Sequence, residues 1–305
     1  MKTFHSSELL ATPPAPISWL IDGLIQLGSG GDTSGMPGDG KSTILLSMAA
    51  AVSTGATWFG LKTAATPVAW ISGEASGNEA LARDLHRLKV GEADITFVLP
   101  DDVLFRWIDE RWVTTGDGRA TIDRIRELGC GFVVLDTIGS LCAGLREIDN
   151  DQGRQLARHL RAELHGITWQ TISHTNQASA RDELSWRLHY LSRAGGNGFP
   201  GAVRLAAGVT RVRAYMRPNA AVETNEGEAF GITGSDVKAK KLIAFGVSKS
   251  NETPQPVWTN NHPAIFEVRR DGGLLLVRDG REGVVAATAE KQEVKSERPD
   301  VCSLS

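Results

Sequence analysis

The chain of 305 residues predicts an α/β fold: a mostly parallel sheet flanked by helices, with a C-terminal antiparallel β extension. Three observations carry this expectation. Short apolar runs alternate with segments of helical periodicity between residues 43 and 173, the pattern of strands joined by crossover helices. Residues 35–42 read Gly-Met-Pro-Gly-Asp-Gly-Lys-Ser, a glycine-rich turn leading into an apolar helix. Beyond residue 200 the strand-like runs follow one another without long helices, as in an antiparallel extension.

Residues 1–18 are rich in Pro and Ser and read as a flexible lead-in. Apolar character begins at Trp19-Leu-Ile-Asp-Gly-Leu-Ile25. Thr43–Ser53 suits a helix closed near Gly55. Val68–Ser72 is a short buried strand. Residues 78–90 set Leu81, Leu85 and Leu88 on one helical face, and Thr121–Leu128 is a helix closed by Gly129. Phe132-Val-Val-Leu-Asp136 is an apolar strand that ends in a carboxylate. Asp149–Leu164 carries Leu156, Leu160 and Leu164 every fourth residue, and Thr168–Ser173 is a further strand. Residues 175–200 are polar and glycine-rich. Val209–Met216 and Leu242–Ser248 read as strands around a polar excursion at 218–237. Ile265–Arg269 and Leu274–Arg278, joined at Asp271-Gly-Gly273, form a hairpin. The expected division is a principal domain over 19–280 and a disordered tail over 281–305.

The glycine-rich turn fits G-x-x-x-x-G-K-[S/T], and each fixed position has a physical reason. Gly35, Gly38 and Gly40, with Pro37 and Asp39 between them, let backbone N–H groups turn inward around phosphate oxygens. The Lys41 ammonium reaches toward the β- and γ-phosphates, and the Ser42 hydroxyl suits Mg²⁺. Thr43 opens a helix whose positive end faces the phosphates. ATP and Mg²⁺ are therefore the expected cofactors. Asp136, closing its apolar strand, is the expected second contact to Mg²⁺. Glu74 follows the strand 68–72 and would reach the same sheet edge, where it can orient or deprotonate water. Glu147 is the competing carboxylate. His174 closes the strand 168–173 and can bond the γ-phosphate.

Composition narrows the partners. Lys and Arg number 33 against 36 Asp and Glu, so net charge is −3 and any nucleic-acid contact must be local. No apolar run approaches the ~20 residues that span a bilayer. Met1-Lys-Thr-Phe-His-Ser-Ser has no apolar signal core, so a cytoplasmic setting is expected. Cys130, Cys142 and Cys302 lack metal-ligand spacing, and the first two read as small buried apolar residues.

The ordered set resembles the RecA/DnaB-like ATPases, in particular the small hexameric helicases of the plasmid RepA type and related AAA family ATPases of phages and mobile elements. The residues that carry this are Trp19–Leu24, Gly35–Thr43, Ile71-Ser-Gly-Glu74 with Arg83, Val133-Val-Leu-Asp-Thr137, Ile172-Ser-His-Thr175, Ser192-Arg-Ala-Gly-Gly-Asn197 and Gly201-Ala-Val-Arg204. The resemblance implies a RecA-like core that assembles as a ring, with ATP bound where two subunits meet. It implies Lys41, Ser42 and Asp136 on Mg-ATP, Glu74 as hydrolytic base, and His174 coupling γ-phosphate to a nucleic-acid loop. Arg193, and after it Arg204, resembles an arginine finger offered to the neighbour's ATP, and Lys249 another contact in trans. The sequence departs from the family at Gly28–Ser34, which is polar and glycine-rich where an apolar strand is expected; that strand is short, strained or replaced. Thr175-Asn-Gln177 and Ser173 also differ, where relatives carry a glycine and a lysine and a second histidine.

Between Arg187 and Arg217 lie six arginines (187, 193, 204, 211, 213 and 217) and no Asp or Glu. Such an excess suits phosphates, and Trp186, Tyr190 and Phe199 offer stacking surfaces for unpaired bases. Single-stranded DNA at residues 175–200 is the expected partner, with a homo-oligomeric, hexameric ring and no membrane. A filament-forming recombination ATPase and a regulatory ATPase with a protein partner remain the alternatives.

Overall fold

The computed structural model describes residues 3, 5–11, 13–73, 82–83, 85–86, 88, 93–146, 149–176, 182–192, 196–216, 223–251, 253, 256–269 and 273–281. Its centre is a nine-stranded sheet. In chain order the strands are β1 (Gly30–Gly35), β2 (Val68–Ser72), β3 (Ile95–Val98), β4 (Phe132–Asp136), β5 (Thr168–His174), β6 (Leu205–Arg211), β7 (Lys241–Ser250), β8 (Ala264–Val268) and β9 (Leu274–Arg278). Across the sheet they run β9-β8-β7-β6-β1-β5-β4-β2-β3. The six strands from β6 to β3 are mutually parallel, and β7, β8 and β9 extend the sheet antiparallel. The expected α/β class with its C-terminal antiparallel extension is thus the observed one. The turn residues Asp271 and Gly272 lie outside the described residues, as do Leu81, Gln177, Arg217 and the tail from 282 onward.

Helices cover both faces because each face carries an apolar stripe. Helix α1 (Lys41–Thr54) packs Ile44, Leu45, Met48 and Val52 against Val68, Trp70, Phe132 and Val134. Gly55 ends it in the left-handed conformation at φ 71°. Helices α2 (Gly116–Glu127) and α3 (Asn150–Glu163) bury Ile122, Ile125, Leu156 and Leu160 with Val133 and Leu135 on the other face. Thr115 and Asp149 cap them through side-chain oxygens. Burying one such side chain contributes roughly 1.5–3 kcal/mol. Residues 82, 83, 85, 86 and 88 are helical, and Leu85 and Leu88 pack on the α1 side as their spacing predicts. Cys130 and Cys142 are buried, and burial pushes the Cys130 thiol up. Among the described residues no helix is long and apolar enough to cross a membrane.

The polar segment before the glycine-rich turn is a correction. It is neither short nor replaced: β1 runs six residues, all buried, and pairs with β5 and β6 on its two sides. Neighbouring side chains fill the space that β1 leaves. A Cβ on Gly30 would lie 2.0 Å from the Trp169 ring, and one on Gly31 would lie 2.1 Å from the Gln170 amide. The Asp32 carboxylate accepts the Thr171 hydroxyl at 2.6 Å and the Ser173 hydroxyl at 2.9 Å.

Other boundaries differ from the sequence expectation. The run expected over Val209–Met216 splits into β6 and a separate strand Ala214–Met216, which pairs with Glu223–Asn225. β6 starts at Leu205, and Ala206, Ala207 and Gly208 behind it carry little apolar signal. The excursion after residue 218 includes a helix at Gly234–Ala239, and residues 184–187 and 198–202 are helical within the polar stretch. A hairpin at Phe105–Ile108 and Arg111–Thr114 has no counterpart in the sequence expectation. Its turn uses Asp109 and Glu110 at φ 47° and 58°, where Asn-Gly would have been the readable signal.

Candidate active site

The site grows from three strand ends. β1 delivers Gly35 and the turn 36–40; β4 delivers Asp136; β5, lying between them in the sheet, delivers His174 in register with Gly35. Because these strands are parallel, their carboxyl ends meet on one edge, where open α/β sheets bind ligands. β2 ends level with Asp136, and the Gly73 N–H donates to the Asp136 carbonyl at 2.9 Å. That path leads toward Glu74, which lies outside the described residues, as do Glu147 and Arg193.

Gly40 takes φ 95°, a conformation that lets the chain turn from the loop into α1. Among the described residues no side chain caps α1, and its first turn holds no acidic residue, in contrast to α2 and α3. The N–H groups and positive end of this helix are therefore left for an anion. Lys41 is buried beside them. Its Nζ donates to the carbonyls of Gly35 at 2.9 Å and Met36 at 3.0 Å, and stands 3.5 Å from His174 Nδ1. The Ser42 hydroxyl donates to Asp136 Oδ2 at 3.2 Å. Hydroxyl and carboxylate together are hard oxygen donors of the kind that Mg²⁺ takes along with phosphate oxygens and water. Pro37 and Gly38 are exposed at the mouth of the loop, and Thr43 is half-buried in the first turn. The residues present thus fit a magnesium-bound nucleotide.

A family model described as AAA domain matches residues 2–180. The chain belongs to this family. No curated protein matches it. The AAA domain match covers β1 to β5, the strands that bring Lys41, Ser42, Asp136 and His174 together, and β6 to β9 follow it. Membership in this family of P-loop ATPases supports nucleotide binding and hydrolysis.

Some sequence-predicted residues sit away from this edge. Arg204 precedes β6, its N–H donating to the Gly30 carbonyl at the start of β1. At about 3.3 Å per residue the length of β1 puts it roughly 17 Å from the turn, so it does not reach this chain's own Lys41. The Lys249 ammonium is taken up by the carbonyls of Pro200, Gly201 and Val203 in its own chain. Burial, then the charges of Arg204 and Arg161, hold its pKa below the ordinary lysine value. Phe199 packs in the core against Trp169 and offers no stacking surface. Arg187 is also internal: its Nη2 donates to Glu226 at 2.7 Å and to the Arg211 carbonyl at 3.1 Å. Burial lowers its pKa against the opposing pull of Glu226.

Two buried carboxylates near the loop have roles that the sequence alone did not reveal. Asp32 fastens β1 to β5, as described above. Asp39, within the loop, accepts the Thr210 hydroxyl of β6 at 3.0 Å and so ties the loop to that strand. No local signal marks Asp32, since its neighbours Gly30, Gly31, Thr33 and Ser34 are not apolar.

Proposed function

We propose that this AAA domain protein is an ATP-driven, ring-forming DNA helicase or translocase of the plasmid RepA type, serving replication of a plasmid, phage or integrated element. The observation that carries the reading is the convergence of Lys41, Ser42, Asp136 and His174 on one sheet edge. In this reading the α1 N–H groups and Lys41 hold the phosphates of ATP, and Ser42 and Asp136 hold Mg²⁺. The metal, when bound, offsets charge that builds on the phosphate oxygens. Lys41 orients the terminal phosphate, and Glu74 takes a proton from the attacking water. His174, within reach of Lys41, relays the state of the site along β5 toward residues 175–200. Arg193 or Arg204 reaches the neighbouring subunit's nucleotide, which makes a hexameric ring the working unit. The working domain is residues 19–280, and the setting is cytoplasmic.

Single-stranded DNA is the proposed partner, through the exposed Arg204, Arg211 and Trp186. The internal positions of Arg187 and Phe199 favour a second reading, a regulatory ATPase with a protein partner, because they shrink the basic and aromatic surface available to DNA.

ATP turnover with and without single-stranded DNA, with particle mass measured under the same conditions, separates these readings. DNA-stimulated turnover in a six-subunit ring is the expected result. Stimulation in polydisperse filaments would replace it with the recombination reading, and turnover indifferent to DNA with the regulatory one. Glu74→Gln is expected to retain ATP binding while turnover collapses; normal turnover would remove Glu74 as the base.

A further inference from the structure

On the α3 side of the sheet, opposite α1, lies an open cleft of about 480 Å³. This is within the range of small-ligand sites, roughly 300–1,000 Å³. Arg154 and Arg158, four residues apart on α3, line it together with Arg111 of the hairpin strand 111–114. Trp112 and His159 also line it.

The charge in this cleft is one-sided. Asp151 is the acidic side chain of the lining, and it is engaged by Arg154. Arg111 and Arg158 are exposed and make no ion pair among the described residues.

The floor is held in place. The Thr114 hydroxyl donates to Glu163 Oε1 at 2.8 Å, so its oxygen is left to accept from His159 Nε2 at 2.9 Å. Arg119 grips the two oxygens of the same Glu163 at 2.9 and 3.0 Å. The His159 ring meets Phe105 edge-on, which fixes its orientation from the other side. Trp112 is anchored by its Nε1 donating to the Gln152 carbonyl at 3.0 Å. The Arg111 and Arg158 guanidinium groups therefore share the cleft with Trp112 and His159, whose side chains are already positioned.

We propose that this cleft is an anion site for a phosphate-bearing ligand, gripped by the Arg111 and Arg158 guanidinium forks and separate from the Lys41 loop. Planar guanidinium groups present paired N–H donors that match phosphate oxygens. The phosphate has two sources to distinguish: a free inorganic phosphate or the backbone of a single-stranded nucleic acid.

The test uses the full chain with one equivalent of ADP, which engages the Lys41 loop and leaves no excess diphosphate to compete for the cleft. Inorganic pyrophosphate and a short oligodeoxythymidylate are titrated separately into the parent and into the Arg111→Gln/Arg158→Gln variant. The variant is expected to bind its probe at least about 10-fold more weakly, the loss expected for one charge-assisted hydrogen bond. For the oligonucleotide, the salt dependence is also expected to flatten, by about 0.7 in log–log slope for each phosphate that the variant no longer neutralises. Arg158→Glu should weaken binding further. ATP turnover and the unfolding midpoint should match the parent, because neither arginine belongs to the Lys41 site or, among the described residues, to an ion pair.

Weakened pyrophosphate binding assigns a free-phosphate site; weakened oligonucleotide binding alone assigns a backbone contact. Equal affinity of parent and variant for both probes, or binding of neither probe by the parent, overturns the proposal. The parent-to-variant difference is read whether or not ADP binds, so failure of the nucleotide reading stays distinguishable.

Discussion

β1 and β4 lie in one sheet with β5 between them, and every residue of β1 and all but the last of β4 are buried. They are buried by different means. β4 brings its own apolar side chains, Phe132, Val133, Val134 and Leu135, to the helices on both faces. β1 brings none. Its glycines accept the Trp169 ring and the Gln170 amide from β5, and its Asp32 is satisfied by two hydroxyls of that same neighbour. Burial of a strand is thus a property of the place as well as of the residues that occupy it. The strand that feeds the phosphate loop gains its rigidity from polar bonds and close approach, while its neighbour two places away relies on apolar packing.

This contrast can be broken by substitution. Phe132→Ala removes a buried ring from β4 and should cost about 3–5 kcal/mol in urea unfolding. Asp32→Ala strips the buried Ser173 hydroxyl of its acceptor and leaves Thr171 the longer contact to the Gly31 carbonyl at 3.3 Å, and should cost about 1–3 kcal/mol; an unchanged midpoint would mean that these bonds do not hold β1. The double variant Asp32→Ala/Thr171→Val should lose less than the sum of the single losses, because the two share one bond. Gly30→Val should cost roughly 1–3 kcal/mol by forcing the chain into the Trp169 ring. A Trp169→Leu change in the same chain should relieve part of that cost, and strict additivity would deny the close approach.

The same contrast explains what the sequence made legible. β2 and β4 were readable residue for residue, because Val68–Ser72 and Phe132–Asp136 are unbroken runs with apolar character. α3 was readable from its leucine spacing, and Asp149, the first residue of the expected helix, is its cap. Lys41, Ser42, Asp136 and His174 were readable because motif and strand-end position pointed to one edge, and the fold brings them there. β1 was not readable as a sound strand, since Gly30-Gly-Asp-Thr-Ser34 carries no apolar signal of its own. Its reason for being buried is written in Trp169, Gln170, Thr171 and Ser173, well over a hundred residues away. The hairpin 105–114 was hidden by an Asp-Glu turn. The internal place of Arg187 was hidden because its partner Glu226 is remote in sequence.

The central claim is that three strand ends assemble a magnesium-dependent ATP-hydrolysing site around Lys41 and Asp136. Steady-state ATP turnover against Mg²⁺, for the parent, Lys41→Ala and Asp136→Ala, tests it most directly. The account predicts Mg²⁺-dependent turnover in the parent and a fall of about 10²–10³-fold in Lys41→Ala, the scale of losing one preorganised donor. It also predicts that Asp136→Ala loses turnover and that both variants remain folded. A folded parent that does not hydrolyse ATP, or variants that match its rate, would contradict it.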